Sequence, residues 1–152
     1  MIAEAERQFR KGSECLAVLE RQNVMDPDIL GSAQQAVESF VQALYSLLDL
    51  EFALQHDRLT ALSREERQAL LQTELRKIRD CRLPGLYPFG DQLPRVVFLT
   101  FAWSSFREQA ECGSEALSSP LFLFFGREEA RLALDQARLC HKAAKSLLEL
   151  KK

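Results

Sequence analysis

Few side chains in this 152-residue sequence are of the types that perform acid–base or anion-binding chemistry, since it contains only two histidines. Arg107 follows a very apolar segment, one helical turn after Trp103. It is either an arginine that leaves the core through its aliphatic stem or an anion-binding arginine in a groove between helices. Neither His56 nor His141 has further ligands at the spacing that a metal site requires. The sequence therefore predicts no metal site and no cofactor.

Composition and motifs exclude several common function classes. A P-loop, a GxGxxG turn after a strand, an HExxH helix and a GxSxG turn are all absent. The four cysteines are too far apart for a CxxC pair, which favours buried free thiols over a zinc site. A net charge of −2 argues against a dedicated nucleic-acid binder, although a local basic face remains compatible with it.

The apolar segments also bear on location. The longest purely apolar runs, VVFL and PLFLFF, are far shorter than the roughly 20 residues that span a bilayer. Charges occupy the first residues, where a signal peptide needs an apolar core. We therefore expect a cytoplasmic protein with no membrane association.

The candidate residues must be positioned by helices, of which the central one is predicted from Asp26 to about Gln55. Asp26-Pro27-Asp28 is a favourable helix start. One helical face then carries Ala33, Val37, Phe40, Leu44 and Leu47. A second apolar row lies beside it, so this helix must be surrounded by others. His56 follows directly, where it either favours the negative end of the helix dipole or binds a ligand.

Three more amphipathic helices follow from the same three–four spacing. They are predicted from Ile2 to about Arg21–Asn23, from Ser63 to about Arg79–Cys81, and from Arg127 to Leu150. In the first, Gly12 on the apolar stripe predicts a close approach of a neighbouring helix. In the second, Ser63 and Glu66 have the spacing of a capping box. In the third, His141 is predicted to be a boundary or surface residue.

Two apolar segments are ambiguous. Residues 95–113 begin as RVVFLTFAW, which suits a strand, but a three–four spacing continues to Ala110 and favours a buried helix. Residues 118–126, SSPLFLFFG, are interpreted as an apolar connector. In the proline-rich loop 83–94, Tyr87 and Phe89 either fold back on the bundle or form a rim or lid. The prediction is a single all-α domain over 1–152, an antiparallel bundle of four to five helices.

Three pieces of the sequence resemble the HEPN family of small helical domains. AQQAVESFVQAL (33–44) is similar to the second helix of that family, and His56-Asp57 is similar to the segment that comes next. FREQAECG (106–113), followed by GREEARLALDQARLCHKAAKSLL (126–148), resembles its arginine-bearing helix, connector and closing helix. The resemblance implies a four- or five-helix bundle that forms a homodimer through the helices carrying the site.

The catalytic branch of this family cleaves RNA without a metal, through an arginine followed four to six residues later by a histidine. Arg107 stands at the position of that arginine, but no histidine follows until His141. The resemblance therefore implies a non-catalytic member that binds a nucleotide or RNA, or that pairs with a nucleotidyltransferase in a toxin–antitoxin or defence system.

The ligand-binding candidates are accordingly Arg107 for anion contact, with His56, Gln35 and Glu38 beside it. Two alternatives remain open at this level. One is a metal-independent ribonuclease toxin in which the fold brings His56 near Arg107. The other is a structural or adaptor bundle whose exposed aromatic residues meet a protein partner.

Overall fold

A computed structural model describes residues 2–22, 29–81, 93–112 and 127–152, with side chains described up to residue 108 in the third range. These ranges form six helices, α1 (Ile2–Arg21), α2 (Ile29–Leu47), α3 (His56–Thr60), α4 (Arg64–Asp80), α5 (Leu93–Cys112) and α6 (Arg127–Lys151). No strand occurs in the four ranges, so the predicted all-α helical bundle is confirmed. Each described helix is too short or too polar to cross a bilayer.

The ambiguous segment at residue 95 is helical. Val96, Leu99 and Trp103 are buried at three–four spacing, as the periodicity predicted. Pro94 lies in the first turn of α5, where a missing N–H costs nothing. The predictions for 118–126, for Tyr87 and Phe89, and for the start of the central helix at Asp26 fall outside the described residues.

The second helix is the centre of the bundle, as predicted. It packs against α1, α5 and α6, and most of its side chains are buried. α1 also contacts α6, whereas α3 and α4 pack on α5. Because α2 touches three long helices, residues on different sides of it face different neighbours. As a result, α2 contributes side chains to two separate groups of polar residues.

The predicted end of the central helix at Gln55 is wrong, because α2 ends at Leu47. Asp49 adopts a left-handed backbone conformation with φ of 58°. The Leu50 N–H then donates to the Tyr45 carbonyl at 2.9 Å, and the Asp49 N–H donates to the Ser46 carbonyl at 3.3 Å. This pair of bonds is a Schellman motif, which satisfies the last carbonyls of α2 and turns the chain away.

The chain after this turn is buried without being helical. Phe52, Ala53 and Leu54 are each less than a tenth exposed and lie in an irregular segment. Because these residues are apolar, the sequence pattern predicted that the helix continued through them. As a result, His56 does not end α2 but begins α3, a five-residue helix that the periodicity did not predict.

The close approach predicted at Gly12 is confirmed. A Cβ atom on Gly12 would lie 2.8 Å from both Cδ1 and Cε1 of Phe40, on α2. Phe40 is fully buried, and its ring packs on Phe9 of α1 and on His141 of α6. The absence of a side chain at residue 12 therefore sets the distance between α1 and α2.

The start of α4 is also as predicted. The Ser63 hydroxyl accepts a hydrogen bond from the Glu66 N–H, and the Glu66 carboxylate accepts one from the Ser63 N–H, both at 3.2 Å. Farther along α4, Glu74 is completely buried. It accepts hydrogen bonds from the Tyr45 hydroxyl at 2.8 Å and from the Lys77 ammonium at 2.9 Å. We call Tyr45, Glu74 and Lys77 the Glu74 cluster.

Candidate functional site

A cavity of about 420 Å³ opens on the surface where α1, α2, α3 and α5 meet. Its lining is mainly polar, and it consists of Lys11, Gln34, Gln35, Glu38, Ser39, Gln42, Gln55, His56, Asp57 and Arg107. This volume lies within the range of about 300–1,000 Å³ that is typical of small-ligand sites. We refer to this site as the α2 cavity.

All four candidates chosen from the sequence line the α2 cavity. Gln35 and Glu38 come from α2, His56 from the start of α3, and Arg107 from the last third of α5. They come from three separate segments of the sequence, and three helices are needed to bring them together. The site assignment itself stays a prediction, but the fold supplies the proximity that it requires.

A chain of hydrogen bonds connects three walls of the cavity. Arg107 Nη1 donates to Gln34 Oε1 at 2.5 Å, and Gln34 Nε2 donates to the Glu38 carboxylate. The backbone N–H of His56 donates to Glu38 Oε2 at 3.2 Å. Gln34 therefore connects an arginine on α5 with a carboxylate on α2, while that carboxylate holds the first residue of α3.

The imidazole of His56 is positioned from α5. Its Nδ1 lies 2.7 Å from the hydroxyl oxygen of Ser104, a side chain that is only 1% exposed. Ser104 precedes Arg107 by three residues on α5, so both side chains lie on the same side of that helix. This contact and the one between Glu38 and the His56 N–H hold the histidine against α5 and α2 together.

An ion pair secures α3 to α5 on the other side. The Arg67 guanidinium forms a two-pronged pair with the Glu108 carboxylate. The same guanidinium donates to the carbonyls of Leu62 at 3.0 Å and Thr60 at 3.2 Å. One side chain thus binds the turn after α3 to the residue next to Arg107. Such bidentate pairs fix geometry as well as adding energy.

Charges of both signs meet in the cavity. Lys11 and Arg107 are cationic, whereas Glu38 and Asp57 carry carboxylates. Burial raises the pKa of Glu38, and the hydrogen bonds from His56 and Gln34 and the charge of Lys11 oppose that rise. Lys11 is therefore close enough for its charge to act on Glu38. The donors and the cation favour the ionised form of this carboxyl group, whereas the loss of water disfavours it.

The sequence analysis missed six of the ten lining residues and also Ser104, and three of these, Gln34, Lys11 and Ser104, bear directly on the site. Gln34 was passed over in favour of its neighbour Gln35, although Gln34 is 2% exposed and makes the contact with Arg107. Lys11 and Ser104 were not identified, because nothing in the spacing of α1 or α5 indicates that Lys11 lines the cavity or that Ser104 contacts His56.

The other histidine lies outside the cavity. His141 is partly buried, with its ring centroid 5.1 Å from that of Phe9 and 5.2 Å from that of Phe40. Burial lowers its pKa, which favours the neutral form. It is a packing residue at the boundary of the core, as the sequence predicted. Within the described ranges, no group of three or more His, Cys, Asp or Glu residues is arranged to hold a metal ion.

Comparisons with known proteins leave the family open. No family model, no curated protein and no solved structure matches this chain. The resemblance to the HEPN family therefore stays a prediction that rests on the sequence pieces quoted above.

Proposed function

We propose that this protein is a non-enzymatic binding module that holds a phosphate-bearing nucleotide in the α2 cavity, within a HEPN-like bundle. One observation carries the proposal: Lys11 and Arg107, from two different helices, line a single cavity of about 420 Å³ together with Glu38 and His56. Two cations on different helices suit a phosphate, which arginine binds through its planar array of donors.

The remaining lining suits the rest of a nucleotide. Gln34, Gln35, Gln42 and Gln55 present amides, each of which can both donate and accept hydrogen bonds. Nucleobase edges also carry donors and acceptors side by side, so amides match them well. The size of the cavity favours a mononucleotide over a longer strand. A homodimer and a nucleotidyltransferase partner, both expected from the resemblance, stay predictions.

The test is calorimetric titration of the wild-type protein and Arg107→Ala with ribonucleoside 5′-monophosphates. We expect measurable binding to the wild type and loss of binding in the variant. The thermal midpoint should remain nearly unchanged, because water in the cavity can replace the guanidinium at Gln34. Arg76→Ala, an exposed position on α4, is the matched control for loss of one positive charge. Unaltered binding in Arg107→Ala contradicts the assignment of this site.

A second candidate function is metal-independent cleavage of RNA. The observation in its favour is that His56 and Arg107 line the same cavity, although the sequence order of the ribonuclease motif is absent. A histidine there can transfer protons while an arginine stabilises charge on the phosphate. This candidate predicts cleavage in the presence of a chelator that His56→Ala removes. Cleavage of equal rate in the wild type and His56→Ala would identify a contaminating nuclease.

A further inference from the structure

The mixed charge of the α2 cavity limits what its ligand can be. A ligand consisting of phosphate alone gains from Lys11 and Arg107 but is repelled by Glu38 and Asp57. These carboxylates need hydrogen-bond donors on the same ligand, since an ionised carboxylate can only accept. The ligand must therefore present an anionic group and, at a separate position, hydroxyl or amino donors.

The carboxylate of Glu38 is oriented to receive such donors. The two hydrogen bonds that hold it, from Gln34 and from the His56 N–H, both go to Oε2. Among the described residues, no donor reaches Oε1 of the same carboxylate. A carboxylate has room for about four hydrogen bonds, so roughly half of its capacity is unused. The two donors on Oε2 also fix its rotation, which makes Oε1 a preorganised acceptor.

We propose that Glu38 recognises the ribose of the bound nucleotide by accepting hydrogen bonds from its 2′- and 3′-hydroxyls, so that the ligand is a ribonucleotide and not a deoxyribonucleotide. This inference rests on the proposed function, because it assigns the sugar of the same ligand. Two neighbouring hydroxyls can donate to the two lone pairs of Oε1. An acidic side chain on the ribose hydroxyls is a recurrent solution in nucleotide sites.

The competing explanation is that Glu38 only holds the start of α3. Its bond to the His56 N–H has that effect in any case. The two explanations differ in what the sugar does: a structural carboxylate is indifferent to the 2′-hydroxyl, whereas a recognising one is not. Loss of one hydrogen bond to a charged group weakens binding roughly ten- to hundredfold.

The experiment is calorimetric titration of the full chain with AMP, GMP, CMP and UMP and with their 2′-deoxy counterparts. We expect the wild type to bind at least one ribonucleotide about ten- to hundredfold more tightly than its deoxy form. Glu38→Gln should reduce this preference to a few-fold, because the neutral amide keeps the shape but loses the charge. Glu65→Gln is the matched control, because it removes the charge of an exposed carboxylate on α4 that does not line the cavity, and it should keep the preference.

Three outcomes overturn the inference, and they are distinguishable. Equal affinity for ribo- and deoxyribonucleotides, with binding still lost in Arg107→Ala, rejects ribose recognition and keeps the nucleotide site. A sugar preference that persists unchanged in Glu38→Gln assigns it to another residue. Failure of every nucleotide to bind the wild type rejects both the inference and the proposed function.

Discussion

Two carboxylates of this bundle, Glu74 and Glu38, differ in how deeply they are buried and in how donors are distributed over their oxygens. Glu74 is fully buried and has a donor on each oxygen, the Tyr45 hydroxyl and the Lys77 ammonium. Glu38 is partly buried, with both of its donors on one oxygen, and it lines a cavity. α2 takes part in both clusters, through Tyr45 in the first and through Glu38 itself in the second.

The difference separates a structural polar cluster from a candidate site. In the Glu74 cluster, each carboxylate oxygen accepts a hydrogen bond from the protein and the side chain is fully buried, so no ligand can reach it. In the α2 cavity, the described residues place both donors on Oε2 of Glu38 and none on Oε1, and the side chain lines open space. Burial of a charge alone therefore does not indicate function; the incomplete satisfaction of a charge beside a cavity does.

The largest expected effect is the difference in unfolding free energy between the two variants that each remove one carboxylate. Glu74→Ala should lower the free energy of unfolding by about 2–3 kcal/mol, because it leaves the buried Tyr45 hydroxyl without its acceptor and opens a void. Glu38→Ala should cost less than about 1 kcal/mol, since water in the cavity can solvate the released donors. Urea unfolding of both variants measures this. Equal losses would show that the two clusters do not differ as described.

A smaller effect tests whether the α1 wall of the cavity is rigid. Gly12→Ala places a methyl group 2.8 Å from the ring of Phe40, a clash that should cost about 1–3 kcal/mol, offset by about 1 kcal/mol of helix propensity. We expect a net loss of stability. Gly31→Ala is the matched control on α2, with no atom within 4 Å of the new Cβ, and should stabilise by up to about 1 kcal/mol. A stabilised Gly12→Ala would show that Phe40 can move.

The smallest effect is a pH dependence that differs between the clusters. Burial raises the pKa of Glu38 above its ordinary value of 4.5, so the folded state holds that proton to higher pH than the unfolded state. Stability from this group is complete below pH 4.5 and is lost as pH rises through the raised pKa. Burial, together with Glu74, likewise raises the pKa of Tyr45 above 10.0, so its contribution is lost only in alkali.

Difference curves isolate these contributions. The stability of the wild type minus that of Glu38→Gln should fall with rising pH above 4.5. The corresponding difference for Tyr45→Phe should stay flat there and fall only above pH 10.0. Urea unfolding at a series of pH values measures both. A flat curve for Glu38→Gln would mean that its carboxyl titrates alike in the folded and unfolded states.

Sequence periodicity was sufficient for the long helices and for the central place of α2. It also identified α5 as a helix, because buried residues at three–four spacing outweighed the β-branched and aromatic composition of its first half. The capping box at Ser63 could be predicted because it depends only on two residues that lie three apart in the sequence.

The sequence did not predict the end of α2 or the detail of the site. Phe52, Ala53 and Leu54 are apolar and buried, and a buried loop has the same apolar composition as a buried helix. The contact between Gln34 and Arg107 was not predicted for a related reason, although Gln35 also lines the cavity. The two residues are chemically identical, and only the position of α5 decides which of them meets Arg107.

The left-handed conformation of Asp49 affects the α2 cavity, although Asp49 is not one of its lining residues. In one uninterrupted helix, the 18 steps from Glu38 to His56 would separate them by about 27 Å along the axis. In the folded chain, the His56 N–H lies 3.2 Å from the Glu38 carboxylate. The turn at Asp49 thus takes part in returning His56 to the side of Glu38, where both residues line the cavity. Residue 49 is restricted to types that tolerate positive φ, chiefly Gly, Asn and Asp, although it contacts no ligand.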